Sequence, residues 1–176
     1  VGSEINETTF RNIVDETLSF PIPLRQIHDQ VYSLELFHGP TLAFKDVGAR
    51  FLARILGHFA TLSNRSITVL VATSGDTGSA VAHGFYGVQN VDVVVLYPKG
   101  KVSDFQRRQM TTLGENIQAI EIDGTFDDCQ DLVKQAFLDR NLQDKYNLTS
   151  ANSINVARFL PQMVYYFWAV AQLKRT

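Results

Sequence analysis

Ile67-Thr68-Val69-Leu70-Val71-Ala72-Thr73-Ser74-Gly75-Asp76-Thr77-Gly78 sets a short, β-branched apolar run directly against a turn of hydroxyls and glycines. An apolar run of this length, bounded by polar loops, reads as a strand buried on both faces. The turn is followed by a helical pattern over 79–86, so the segment is a strand-turn-helix unit, the building block of a parallel α/β sheet. At such a turn the backbone N–H groups and the positive end of the helix dipole favour an anion. Thr73, Ser74 and Thr77 add hydroxyls to that setting, which suits a carboxylate or a phosphate. A helix N-cap would need only one of these hydroxyls. The turn lacks the Gly-Lys-Ser/Thr of a P-loop and the G-x-G-x-x-G of a dinucleotide turn.

Working outward, 91–97 and 117–122 read as further buried strands and 148–151 as a short fourth one. Between them, helical spacing covers 103–113, and Thr125 with Asp128 forms a capping-box pattern opening a helix that runs to about Leu138. A last helix is expected over 154–173. Upstream, 4–20 is helical until Phe20-Pro21-Ile22-Pro23 ends it, because proline removes a backbone donor and disfavours helix in the residue before it. Residues 32–37 alternate as a strand, and the apolar positions from Phe44 to Phe59 mark one face of a helix. The expected fold class is α/β: a small parallel sheet with helices on both faces, its crossovers right-handed, plus flanking pieces of a larger domain. The expected division is 1–56 in the larger domain, 57–152 as the small sheet domain, and 153–176 returning to the larger one.

Bulk properties exclude several classes. The 176 residues are 45% hydrophobic, ordinary for a chain that buries a core. Sixteen basic against eighteen acidic residues give a net charge of -2 with no basic stripe, so no nucleic-acid partner is expected. The richest apolar stretch, 156–173, is interrupted by Arg158, Pro161, Gln162 and Gln172 and falls short of a spanning helix, so no membrane partner is expected either. A single cysteine, Cys129, cannot pair within the chain, which favours a reducing compartment; on an amphipathic helix it reads as a small buried hydrophobe. His28, His38, His58 and His83 show no metal-ligand spacing, and no metal is expected. Tyr165, Tyr166, Phe167 and Trp168 are consecutive on a helix and must pack against more than one neighbour.

Lys45 stands in Leu42-Ala43-Phe44-Lys45-Asp46 at a helix start. Desolvation by its apolar flanks and an unfavourable helix dipole both favour the neutral amine that attacks a carbonyl. An ordinary lysine, paired with Asp46 or snorkelling to solvent, is the alternative.

Three segments carry a resemblance. Leu34-Glu35-Leu36-Phe37-His38-Gly39-Pro40-Thr41-Leu42-Ala43-Phe44-Lys45-Asp46 resembles the cofactor-lysine segment of threonine synthases, which are fold type II pyridoxal-phosphate enzymes. Ala72-Thr73-Ser74-Gly75-Asp76-Thr77-Gly78 resembles their substrate loop, and Ser150-Ala151-Asn152-Ser153-Ile154-Asn155 with Arg158 their third signature, in the same order. The resemblance runs from Tyr32 to Leu173. It implies that Lys45 carries pyridoxal 5'-phosphate as a Schiff base and moves protons, with Phe44 and Asp76 completing the cofactor contact. It further implies that Thr73, Ser74 and Thr77 hold the substrate carboxylate. Asn152, Ser153 and Arg158 would hold the phosphate of O-phospho-L-homoserine, for which arginine's planar fork is suited. Most fold type II relatives have asparagine where this chain has Asp76.

The implied reaction is a carbon–oxygen lyase step of threonine biosynthesis in the cytoplasm, O-phospho-L-homoserine and water giving L-threonine and phosphate. Any targeting segment would precede Val1. The family's glycine-rich phosphate cradle and its pyridine-nitrogen partner come later than any residue here. The chain is therefore expected to be a portion of a longer protein, inactive alone, whose end segments meet a partner domain or a second copy. Two other readings remain open: another fold type II enzyme, such as a serine or threonine dehydratase, and a non-catalytic anion-binding domain in which Lys45 is inert.

Overall fold

The computed structural model describes residues 4–175. The first three positions of the 1–56 segment and the last of the 153–176 segment lie outside them. The chain opens with helix α1 (Glu7–Thr17) and an antiparallel hairpin of β1 (Leu24–His28) and β2 (Val31–Leu34). Helix α2 (Lys45–Ser63) leads into β3 (Ile67–Ala72), α3 (Asp76–Phe85), β4 (Val91–Pro98), α4 (Asp104–Thr111) and β5 (Ile117–Ile122). Then come α5 (Phe126–Leu138), α6 (Arg140–Tyr146), β6 (Leu148–Ser150), α7 (Val156–Phe159), a 3-10 turn (Leu160–Met163) and α8 (Val164–Leu173).

Strands β5, β4, β3 and β6 form one parallel sheet in that order. Side chains alternate across a strand, and the two faces separate cleanly. Val69, Val71, Val93 and Val95 pack on one side with Ala49, Leu52, Val81 and Phe85 from α2 and α3. Leu70, Ala72 and Leu96 pack on the other with Cys129 and Val133 of α5. The expected α/β architecture with helices on both faces is what the chain adopts. The chain steps from β3 to β4 to β5 in one direction and then returns to β6 on the far side of β3. The reversal places a crevice at the carboxyl ends of β3 and β6, where open α/β sheets bind ligands.

Local chemistry explains the elements and where they depart from expectation. Both halves of the capping box form: Thr125 Oγ1 accepts from Asp128 N, and Asp128 Oδ2 accepts from Thr125 N. The single helix expected over 154–173 is instead broken into α7, the 3-10 turn and α8, because Pro161 has no N–H to continue the ladder. Helix α3 begins at Asp76 rather than Ser79, and the strand expected over 32–37 stops at Leu34. Strand β1 and helix α6 were not foreseen; β1 is largely exposed, without an alternating pattern, and α6 follows α5 through a shared boundary residue, Asp139, whose Oδ1 accepts from Asn141 N and Leu142 N. Helix α2 runs unbroken across position 57, with Ala49, Leu52, Ala53 and Ala60 all in the core cluster.

Gly78 is a point of close packing in this core. A Cβ there would overlap Thr73 Cγ2 and would lie 2.5 Å from Met110 Sδ and 2.9 Å from Val95 Cγ1. Overpacking costs about 1–3 kcal/mol, more than the helix-propensity gain of at most about 1 kcal/mol for replacing glycine by alanine. Gly78→Ala is therefore expected to lower stability by about 1–2 kcal/mol, read as a lower urea midpoint with an unchanged slope.

Candidate active site

Lys45 is the first residue of α2, and its N-cap, Phe44, provides no side-chain cap. The backbone there is held from outside. Buried Tyr165, on α8, donates its hydroxyl to the Phe44 carbonyl, and burial pushes its ionisation well up, so it remains a donor. Asp46 is 1% exposed. Its Oδ1 accepts from Thr41 Oγ1 at 2.6 Å and its Oδ2 from Thr41 N at 2.9 Å. Asp46 therefore fastens the 39–41 loop beneath α2. The nearest acidic partner of Lys45 is elsewhere: its Nζ lies 3.7 Å from Asp76 Oδ2 and 5.2 Å from the centre of the Phe44 ring. This corrects the alternative in which Lys45 pairs with Asp46.

In the 73–78 turn the hydroxyls divide their work. Thr73 is 1% exposed. Its Oγ1 accepts from Gly75 N at 3.0 Å and Gly78 N at 2.8 Å and donates to Gly75 O at 3.2 Å. It is consumed in shaping the turn, while Ser74 is exposed and Thr77 half-buried. Gly75 has φ +144°, a conformation other residues rarely adopt. Asp76 Oδ1 accepts from Gln106 Nε2, whose partner atom Oε1 accepts from Ser103 Oγ at 2.9 Å.

The third segment closes the crevice. Asn152 Oδ1 accepts from Ala72 N at 3.2 Å and its Nδ2 donates to Ala72 O at 2.9 Å, continuing the β3 pairing past the end of β6. Asn155 caps α7 through Ala157 N and donates to Ser150 O at 2.8 Å. Ser153 is exposed. Arg158 is 5% exposed, yet its Nε and Nη1 have no hydrogen-bond partner. Burial pushes its pKa down from the ordinary arginine value. A buried guanidinium with unmet donors is costly without an anion to receive them. It is brought to the site by Gly48, one turn along α2 from Lys45, where a Cβ would overlap the Arg158 carbonyl.

The structure thus sets Lys45 beside Phe44 and Asp76, places Asn152 on the end of β3, and seats Arg158 against the first turns of α2. Gln106, Tyr165, Thr41 and Gly48 complete the arrangement and were missed by sequence reasoning. Only Gln106 left a signal, in the Ser103-x-x-Gln106 spacing of a helix cap. Among the described residues no helix is long and apolar enough to cross a membrane.

Comparison with known proteins places the chain's sequence and fold in a family. The family described as pyridoxal-phosphate dependent enzyme matches residues 20–175. The threonine synthase of Serratia marcescens is 55% identical over 173 residues, covering 98% of this chain and 40% of that protein. The crystal structure of Escherichia coli threonine synthase aligns with a TM-score of 0.89 at 54% identity, over 97% of this chain and 40% of that one. A threonine synthase with bound pyridoxal phosphate from Brucella melitensis aligns with a TM-score of 0.91 at 45% identity, over 98% of this chain and 38% of that one. The chain thus spans about 40% of the length of these relatives.

Arg158 yields a stability test. Arg158→Met removes a buried group with unmet donors, so the variant is expected to be as stable as the native chain or up to about 1–3 kcal/mol more stable. Inorganic phosphate at about 100 times its dissociation constant should stabilise the native chain by about 2.7 kcal/mol and leave the variant unmoved. Urea melts with and without phosphate check both; an equal response in the two proteins removes Arg158 from anion binding.

Proposed function

The chain belongs to the pyridoxal-phosphate-dependent enzyme family, and from that premise we propose that its residues form part of a carbon–oxygen lyase converting O-phospho-L-homoserine and water into L-threonine and phosphate. The observation that carries the reading is the buried Arg158, whose unmet Nε and Nη1 face no protein acceptor beside the helix that starts at Lys45. A dehydratase of serine or threonine has no substrate phosphate for such a group to hold, and a non-catalytic domain has no use for Lys45. The high identity to threonine synthases supports the same choice.

Each residue then has a role that its surroundings support. Lys45 Nζ attaches the cofactor and, once released, carries protons between adjacent substrate carbons. Pyridoxal phosphate, when bound, supplies a conjugated ring that draws electron density from the reacting carbon. Phe44 and Asp76 line the space beside Nζ. Ser74 and Thr77 receive the substrate carboxylate on a turn whose shape Thr73 sets. Arg158 and Ser153 hold the phosphate that leaves, and Asn152 fixes the 151–153 turn against β3. Arginine rather than lysine fits here because its planar fork receives two phosphate oxygens at once.

The segments 1–56, 57–152 and 153–176 are proposed as larger-domain, sheet-domain and larger-domain pieces, the enzyme acting in the cytoplasm. Tyr166 and Phe167 are 77% and 71% exposed on α8. We assign that face to contact with another part of the enzyme or a second copy.

The first test is covalent capture. Pyridoxal phosphate followed by borohydride should mark Lys45 in preference to every other lysine, found by peptide mass spectrometry, and Lys45→Ala should lose that mark with the fold retained. A chain whose Lys45 is no better labelled than its surface lysines, with cofactor in excess, rules the reading out. In enzyme that releases phosphate from O-phospho-L-homoserine, Arg158→Lys should raise KM at least about tenfold, the loss of one charged hydrogen bond. Ammonia release from serine or threonine without phosphate turnover would instead select the dehydratase.

A further inference from the structure

Gln106 is bound at both ends of its amide, and the direction of those bonds is fixed. Ser103 Oγ accepts from Gln106 N at 3.3 Å as the N-cap of α4. The single hydroxyl proton of Ser103 is donated to Gln106 Oε1 at 2.9 Å. The carbonyl end of the amide is therefore occupied, and the Nε2 end is turned to Asp76 Oδ1. A carboxylate can only accept, so the chain of bonds runs one way, from Ser103 through Gln106 to Asp76. The other carboxylate oxygen, Oδ2, is the one 3.7 Å from Lys45 Nζ.

Gly75 makes room for this. A Cβ there would overlap Gln106 Oε1 and lie 2.6 Å from Gln106 Cδ. The turn after β3 and the start of α4 are thus locked together through one amide, in space that glycine alone leaves open. Without the lock, a carboxylate whose side chain is 48% exposed would be held only by its 3.7 Å contact with Lys45. We infer that Gln106 is a positioning residue: it fixes Asp76 so that one oxygen faces Lys45 and stands at a set place beside the amine. The consequence for cofactor chemistry rests on the reading of Lys45 given above, but the geometry does not.

Trace acetylation of the folded chain by limiting acetic anhydride measures Lys45 without any cofactor, with Lys99 as the internal reference in peptide mass spectrometry. Removing the lock lets Asp76 turn to water and frees the amine. Gln106→Met should raise Lys45 acetylation about two- to fivefold, the range of a partly exposed ion pair. Asp76→Ala should do the same, and Gln106→Met should add nothing in the Asp76→Ala background, the signature of two residues acting as one. Gln106→Leu is run in parallel, so that a methionine variant that fails to fold does not decide the matter. Unchanged Lys45 acetylation on losing Gln106, or an equal rise in both backgrounds, overturns the inference. Borohydride capture of pyridoxal phosphate on the same proteins separates the two ideas. A coupled acetylation cycle without capture at Lys45 upholds the positioning and sinks the proposed function. Capture with an additive cycle sinks the positioning alone.

Discussion

The site depends first on a buried carboxylate. Taking Asp46 out of water costs several kcal/mol unless its oxygens are met, and Thr41 meets both, one through its hydroxyl and one through its amide. That requirement dictates much around it. The 39–41 loop must lie directly beneath the start of α2, and Gly39 must lack a Cβ, because one would overlap the Asp46 carboxylate. The same charge bears on Arg50 and His83, raising the proton affinity of each against the lowering effect of burial, which is the larger. With the loop fixed, the backbone of Phe44 and Lys45 has one course. Tyr165 holds it from the opposite side, so the lysine leaves the helix start at a set angle although no side chain caps that helix.

Close backbone approach does the rest. Gly84 lets α3 lie against the backbone of Ala49, with a built Cβ 3.1 Å from the Ala49 carbonyl carbon. Gly48 lets α7 do the same on another part of α2. Helix α2 therefore acts as the common wall onto which the turn after β3 and the segment after β6 are pressed. Residues some thirty and a hundred positions from Lys45 in sequence become its neighbours without any loop having to reach far. Rigid elements position such constellations better than loops can.

How much of this could be read from the chain follows from the range of the forces involved. Strands β3 and β5 and the capping box at Thr125 are legible because apolar runs and caps are local patterns. The parallel sheet follows from their alternation with helices. Strand β1 is not legible: its residues are mostly exposed and it exists by pairing with β2 and by Gln172 Oε1 accepting from Leu24 N. The break in the final helix was available in Pro161, outweighed by the apolar pattern around it. Within the site, Lys45 and the hydroxyl turn stand out by composition. The division of labour within the turn does not, since only the fold shows Thr73 spent on Gly75 and Gly78 and Ser74 left facing out. Gln106 and Tyr165 act across 30 and 121 positions of chain respectively, and no periodicity records such bonds.

Two departures from the local rules of protein structure fall at the site. At Arg158 two donors are left open in the interior, and at Lys45 a cation sits at the positive end of a helix dipole. Both departures have the same sense, since each leaves positive charge under-compensated. Asp76, partly exposed and tethered by Gln106, is the carboxylate placed nearest to Lys45 to offset it. An anionic ligand would meet the Arg158 donors that the protein leaves open and so add to stability on binding. Under the proposed function this electrostatic imbalance would favour an anionic ligand before any particular contact is made, and the arginine fork would then select among anions by shape.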